Sequence, residues 1–296
     1  MTVDAIRLRR ARRSIYGPPA LAVAGAVLAA AGFFGLATRE TARSPAPAAL
    51  VPPVTVHAAQ SFILVDAQGR LSPGDPADRA GAVHAIVPRG ATVVGAAVSP
   101  DRGHWLVTRD GQVIGVATRS LGQHKVPPRA SPFVGIAASA TGGYWLAQAD
   151  GHVYAFGVRQ RGDLSRTRHA IVVDIAATPD GGYWLAMSDG TVKGFATSEK
   201  APALRRPLAH IVGIAASRVR GYWLASADGH VYPFAGASSR GDVGRLKLRA
   251  PVVDIASSPN GGYWLATGDG HVFAFGTPDN VTRAAAQGRI VAVLPA

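Results

Sequence analysis

Ile211-Val-Gly-Ile-Ala-Ala-Ser217, Gly221-Tyr-Trp-Leu-Ala225, Asp228-Gly229 and His230-Val-Tyr-Pro-Phe234 follow one another within a single stretch of the chain. The first piece is a short apolar run, suited to a strand buried on both sides. The second and fourth alternate aromatic or aliphatic residues on a period near two. Asp-Gly joins them, and this dipeptide tolerates positive φ and closes tight hairpins, so the two segments pair antiparallel. The next stretch, Gly241-Asp-Val-Gly-Arg-Leu-Lys-Leu248, is more polar and reads as a fourth, outer strand.

The unit recurs. Trp105, Trp145, Trp184, Trp223 and Trp264 stand 40, 39, 39 and 41 residues apart, and five residues after each comes an Asp (Asp110, Asp150, Asp189, Asp228, Asp269) followed directly by Gly. Four short antiparallel strands in about forty residues make one propeller blade. A solenoid repeat is the alternative architecture, but its units carry helices or run shorter. Upstream, Phe62-Ile-Leu-Val65 with Gln68-Gly69 is a worn copy of the motif, and downstream Arg289-Ile-Val-Ala-Val-Leu294 matches an innermost strand. Lending that last strand to the first copy closes a ring without a free sheet edge. The expected fold is all-β: a β-propeller over residues 54–296, with six four-stranded blades and the C-terminal strand closing the first.

The units Gly143-Tyr-Trp-Leu-Ala-Gln-Ala-Asp-Gly-His-Val-Tyr-Ala-Phe-Gly157 and Gly262-Tyr-Trp-Leu-Ala-Thr-Gly-Asp-Gly-His-Val-Phe-Ala-Phe-Gly276 resemble the GYWLV-xx-DGGVF-x-FG repeats of bacterial secreted and surface proteins. The resemblance covers about residues 60–296. It implies an exported, propeller-like repeat domain, often joined to wall-active enzymes, and supplies no active residues. This chain departs from the pattern by carrying His where the repeat has its second Gly, and no attached enzyme is expected.

The N-terminus gives an address. Residues 1–16 form a basic n-region, with Arg7, Arg9, Arg10, Arg12 and Arg13 against a single Asp4. Within residues 17–38 lies an uncharged run of 18, Ala20 to Ala37, just long enough at about 1.5 Å per residue to cross a hydrocarbon core. Two readings stand: a transmembrane signal-anchor, favoured by the length, or a signal peptide cleaved near Ala37, favoured by the small residues Gly35 and Ala37. Positive charge stays inside, so the anchor reading expects a single-pass protein of the cytoplasmic membrane with the propeller outside. The cleavage reading expects secretion. Residues 39–53, rich in Pro and Ala, read as a linker.

The chain has no Cys, which excludes disulfides, thiolate metal sites and a Cys nucleophile. Its formal net charge of +13 favours anionic partners. The basic residues fall in the outer-strand segments: Arg119, Lys125 and Arg129; Arg159, Arg161, Arg166 and Arg168; Lys200, Arg205 and Arg206; Arg240, Arg245, Lys247 and Arg249. A cationic rim is expected, able to concentrate a polyanion such as a phosphate-bearing wall polymer or a membrane surface. The basic residues lack interleaved exposed aromatics, so no intracellular nucleic acid is expected as a partner.

Candidate chemistry is sparse. Glu40 and Glu199 are the only glutamates, and five aspartates belong to the Asp-Gly turns. The best remaining pair is Asp174 and Asp254, which replace Gly135 and Gly213 on innermost strands near the central channel. They could act as acid and base or bind a cation. More simply, they accept backbone hydrogen bonds. His152, His230 and His271 follow the same turn in three different blades, too far apart to share one ion, so no metal and no cofactor is expected. The tryptophans could stack on sugars, but their position inside the second strand points to core packing. Arg161-Gly-Asp163 and Arg240-Gly-Asp242 spell an adhesion tripeptide and read as turn chemistry. The function expected is a non-catalytic binding or scaffolding module of the cell envelope, with a monomeric propeller. A protein–protein platform, or a hydrolase or lyase at the channel mouth, is the alternative.

Overall fold

The structure is a computed structural model. It describes residues 62–74, 82–127, 129–167, 171–199, 201–202, 204, 209–277, 282–283 and 288–296. The chain divides into two units, Met1–Thr55 and Val56–Ala296, and the described residues all belong to the second. The basic n-region, the apolar segment and the linker expected from the sequence lie outside the described residues. Among the described residues no helix is long and apolar enough to cross a membrane.

The described strands form six antiparallel sheets. The first contains β1 (Phe62–Asp66), β2 (Arg70–Pro73) and β3 (Val83–His84). The second has β4 (Val93–Val98), β5 (His104–Thr108) and β6 (Val113–Val116). The third has β7 (Phe133–Ala138), β8 (Tyr144–Gln148) and β9 (Val153–Phe156). β10 (Val172–Ala177), β11 (Tyr183–Met187) and β12 (Val192–Phe195) make the fourth. β13 (Ile211–Ala216), β14 (Tyr222–Ser226) and β15 (Val231–Phe234) make the fifth. The sixth is β16 (Val252–Ser257), β17 (Tyr263–Thr267), β18 (His271–Phe275) and β19 (Thr282–Arg283). The last strand, β20 (Ile290–Pro295), leaves its neighbours in sequence and pairs with β1, Phe62 opposite Pro295 and Val65 opposite Ala292.

The inner strands close on themselves. β4 packs beside β7, β7 beside β10, β10 beside β13, β13 beside β16, β16 beside β20, and β20 beside β4. Sheets arranged radially around such a ring are a β-propeller. Between neighbouring sheets the second-strand aromatics interlock. Trp105 packs on Tyr144 with ring centroids 4.8 Å apart, Trp145 on Tyr183 at 5.2 Å, Trp184 on Tyr222 at 5.0 Å and Trp223 on Tyr263 at 5.0 Å. Trp264 packs on Phe62 at 6.0 Å, so the worn first copy keeps an aromatic where four of the other copies have Tyr. Each such pair adds roughly 0.5–1.5 kcal/mol to the burial of its rings.

The four-stranded blade read from sequence needs correction. Two sheets have four strands, and four have three among the described residues. In the second, third and fifth sheets the described outer segments form no ladder, and side chains meet part of the backbone instead. Gln123 Oε1 accepts the Val113 N–H, Gln160 Nε2 donates to the Val153 carbonyl at 2.6 Å, and the Asp242 carboxylate faces the Val231 N–H. Trp105, Trp145 and Trp223 donate their indole N–H, each at 2.9 Å, to the carbonyls of Arg119, Arg159 and Ser238. Tyr144, Tyr183 and Tyr263 donate their hydroxyls to the carbonyls of Gly122, Gly162 and Gly241, reaching back to the outer segment of the preceding sheet.

Candidate functional site

The channel is built from one repeated irregularity. The pairing of each inner strand with its partner slips between Val93 and Gly95, Phe133 and Gly135, Val172 and Asp174, Ile211 and Gly213, and Val252 and Asp254. A bulge leaves one residue unpaired and re-aims the next side chain. At two of these positions the side chain is a carboxylate. Asp174 accepts the Ile175 N–H at 2.7 Å and, across to the next inner strand, the Ile214 N–H at 2.9 Å. Asp254 accepts the Ile255 N–H at 2.8 Å and the Val293 N–H at 2.8 Å. The glycines fit the same joint. A Cβ on Gly135 would stand 2.9 Å from Asp174 Oδ1, and one on Gly95 would stand 3.3 Å from the Gly135 Cα.

Both aspartates lie deep in the protein while keeping some surface open to the lumen. They line a chamber of about 550 Å³ on one side, walled by Ala138, Ala177, Ala216 and Ala256, and a smaller one of about 110 Å³ on the other, walled by Val134, Val173, Val212 and Val253. Burial pushes the Asp174 carboxyl up to about 7, against the pull of its two N–H bonds. Burial, and after it the Asp174 charge, pushes Asp254 well above the ordinary carboxylate range. The pair therefore binds protons more tightly than ordinary carboxyls do, and its four backbone bonds join inner strands.

The rim is built by the same residues that replace the fourth strand. The Trp145 bond fixes the backbone of Arg159, and the Tyr183 and Tyr263 bonds fix the glycines after Arg161 and Arg240. Anchored from beneath, the side chains of Arg159, Arg161, Arg166, Arg240, Arg245, Lys247 and Arg249 are exposed. The nearby acids are committed elsewhere. Asp163 accepts from Ser165 Oγ at 2.6 Å, while Asp242 faces His230 Nδ1 at 3.2 Å and accepts the Gly244 N–H at 3.1 Å. The ion pairs formed within 4.0 Å among the described residues are His152–Asp150, His230–Asp242 and His271–Asp269, and none involves the rim cations. Lys247 and Arg249 border a hollow of about 170 Å³ beside Asp269 and His271. Arg168, Arg205 and Arg206 lie outside the described residues.

The remaining candidates are separated by the fold. His152, His230 and His271 each sit with a local Asp, and among the described residues no group of three His, Asp or Glu could hold one metal ion. The five tryptophans are at most 3% exposed and offer no face to a sugar. Gly162 and Gly241 of the two Arg-Gly-Asp stretches have φ of +121° and +107° and lie against the rings of Phe195 and Phe275.

No family model and no curated protein sequence matches the chain. Solved structures do. A protein of unknown function from Bacteroides caccae aligns with a TM-score of 0.56 at 13% identity, over 80% of this chain and 99% of that one. A catalytically inactive virginiamycin B lyase from Staphylococcus aureus, crystallised with quinupristin, aligns at 0.47 and 15% identity over 78% of this chain and 85% of the other. YCF48 bound to a D1 peptide aligns at 0.43 and 14% identity, over 67% and 68%. At such identities the likeness extends to the repeat fold and stops there.

Proposed function

We propose that the chain is a six-bladed propeller acting as a non-catalytic binding module of the cell envelope, and that it holds an anionic polymer through its basic rim. The observation that carries this reading is the row of exposed Arg and Lys side chains, which outnumber the neighbouring acids Asp163 and Asp242 and form no ion pair with them among the described residues. An excess of charge of one sign raises the local concentration of a polyanion. Backbone bonds from buried Trp145, Tyr183 and Tyr263 hold the outer segments at Arg159, Gly162 and Gly241, which lowers the cost of ordering the backbone on binding. The apolar run Ala20 to Ala37, behind its arginines, supports a place outside the cytoplasm, tethered or released. The similarity of the repeats to those of bacterial surface proteins agrees with that place.

The test is retention of the full-length chain on a phosphate-bearing wall polymer over a salt series. Retention should fall steeply between about 0.05 and 0.5 M salt, as the screening length shortens. Replacing Arg159, Arg161, Arg240 and Arg249 together with Gln should remove most of it. Retention by that variant equal to the parent's, at every salt concentration, would overturn the reading.

A further inference from the structure

The residue just before the turn dipeptide differs in one copy of the repeat. Ala67, Ala149, Ser188, Ala227 and Gly268 occupy this position in five sheets, and all are small. In the second sheet the position is Arg109. The backbone does the same work in every copy, donating its N–H to the residue just before the inner strand of its own sheet. Arg109 donates to Thr92 at 2.8 Å, Ala149 to Pro132 at 2.9 Å, Ser188 to Ile171 at 3.0 Å and Gly268 to Pro251 at 3.0 Å. The fold therefore places no demand on the arginine side chain.

That side chain opens onto a groove of about 450 Å³, where Arg89 and Lys125 join it. Pro88, which accepts from Ala91 at 3.0 Å, and Pro127, which accepts from Ala130 at 2.9 Å, line the groove as well. The floor is tied down by the Val126 N–H to the Asp110 carbonyl and the Phe133 N–H to the Arg109 carbonyl. Asp110 is the one acid in the groove lining, and its carboxylate is engaged within its own turn by Thr108 Oγ1 at 2.5 Å and Gln112 Nε2 at 2.8 Å. Neither Arg89, Arg109 nor Lys125 forms an ion pair among the described residues. Three cations against one carboxylate leave a local excess of two positive charges in the groove lining. A phosphate monoester carries about −1.5 to −2 near neutral pH and offers three acceptor oxygens to such a set.

We propose that this groove is a binding site for a phosphate monoester, with Arg109 as its principal ligand and Arg89 and Lys125 completing the charge. The site involves none of the rim residues replaced in the retention experiment, so the two readings stand or fall apart.

The experiment titrates the full-length chain with phenyl phosphate, inorganic phosphate and benzoate at constant ionic strength set by chloride, using calorimetry. Saturable binding of phenyl phosphate and of phosphate is expected, with benzoate at least tenfold weaker. Arg109→Ala installs the residue that other copies of the repeat carry, so its melting temperature should match the parent's. Its affinity for phenyl phosphate should fall by about tenfold or more, as expected for losing hydrogen bonds to a charged group. The rim variant should bind phenyl phosphate as the parent does. An Arg109→Ala chain that melts normally and binds unchanged would overturn the proposal. So would the absence of saturable phosphate binding, or benzoate binding as tightly as phenyl phosphate.

Discussion

The Asp254 carboxylate accepts the backbone N–H of Val293 at 2.8 Å, so a side chain of the sixth sheet holds the strand that the C-terminus lends to the first. Without it that N–H faces an apolar joint. Leaving a buried donor unsatisfied costs about 1–3 kcal/mol. Asp254→Ala should therefore speed amide exchange at Val293 and its neighbours in β20, while Ile214, held by Asp174, keeps its protection. Unchanged exchange at Val293 would show that the bond does not hold the closing strand.

The same carboxyls make stability depend on pH in an unusual direction. Asp174 is raised in the folded state from 3.8 to about 7, chiefly by burial, and Asp254 shifts the same way. A raised pKa means that the folded chain binds protons more tightly than the unfolded chain. The stability it contributes is fully present below about pH 4 and is lost as pH rises through 7. Asp174→Asn cannot titrate and supplies the reference. Relative to it, the parent's unfolding free energy should fall by about 1–4 kcal/mol between pH 4 and 8. Parallel curves for the two chains would refute a raised carboxyl at this site.

Ala117, Ala196 and Ala235 hold φ of +53°, +51° and +52°, where Gly157 and Gly276 stand at +69° and +65° after the third strands of other sheets. An L-residue there costs roughly 1–2 kcal/mol, and glycine regains part of it despite the entropy it loses on folding. Ala196→Gly should stabilise the chain by about 0.5–1 kcal/mol in denaturant melts, with Gly157→Ala moving the other way. Opposite signs would mean that local packing, rather than the backbone, sets these positions.

The inner and second strands are legible in the sequence because their burial imposes a pattern: Tyr-Trp-Leu-Ala must face neighbours on both sides, and Asp-Gly must turn. Ring closure is legible for the same reason, since Arg289–Leu294 has the apolar run of an inner strand and Phe62–Val65 lacks one beside it. The outer segment is not. Gly241–Leu248 alternates polar and apolar residues as an edge strand would, yet its carbonyls and N–H groups are met by Tyr263, Gly229 and the Asp242 side chain. Those partners leave no period in the segment itself. The aspartates are visible as departures from Gly135 and Gly213, but their bonds to Ile214 and Val293 depend on which strand comes next in the ring. Arg109 is likewise an outlier in the aligned repeats. Only the fold brings Arg89 and Lys125 to it, from segments that share no motif.

Arg161-Gly162-Asp163 separates turn chemistry from surface recognition. Gly162 holds φ of +121°, and a Cβ on it would stand 2.8 Å from Phe195 Cδ1. Its carbonyl also accepts the Tyr183 hydroxyl. Gly162→Ala must strain the backbone, displace a ring packed against Tyr183 at 5.5 Å, and disturb that bond. Each of these costs on the order of 1 kcal/mol or more, so a loss of about 2–4 kcal/mol is expected. Arg161→Ala touches only an exposed side chain and should stay within about 0.5 kcal/mol of the parent. Comparing urea melts of the two variants decides the matter: a costly Gly162 and a silent Arg161 make the glycine a requirement of the turn. Equal, small effects would mean that the outer segment bends freely there, and the hold on the backbone beside the rim cations would lose its physical basis.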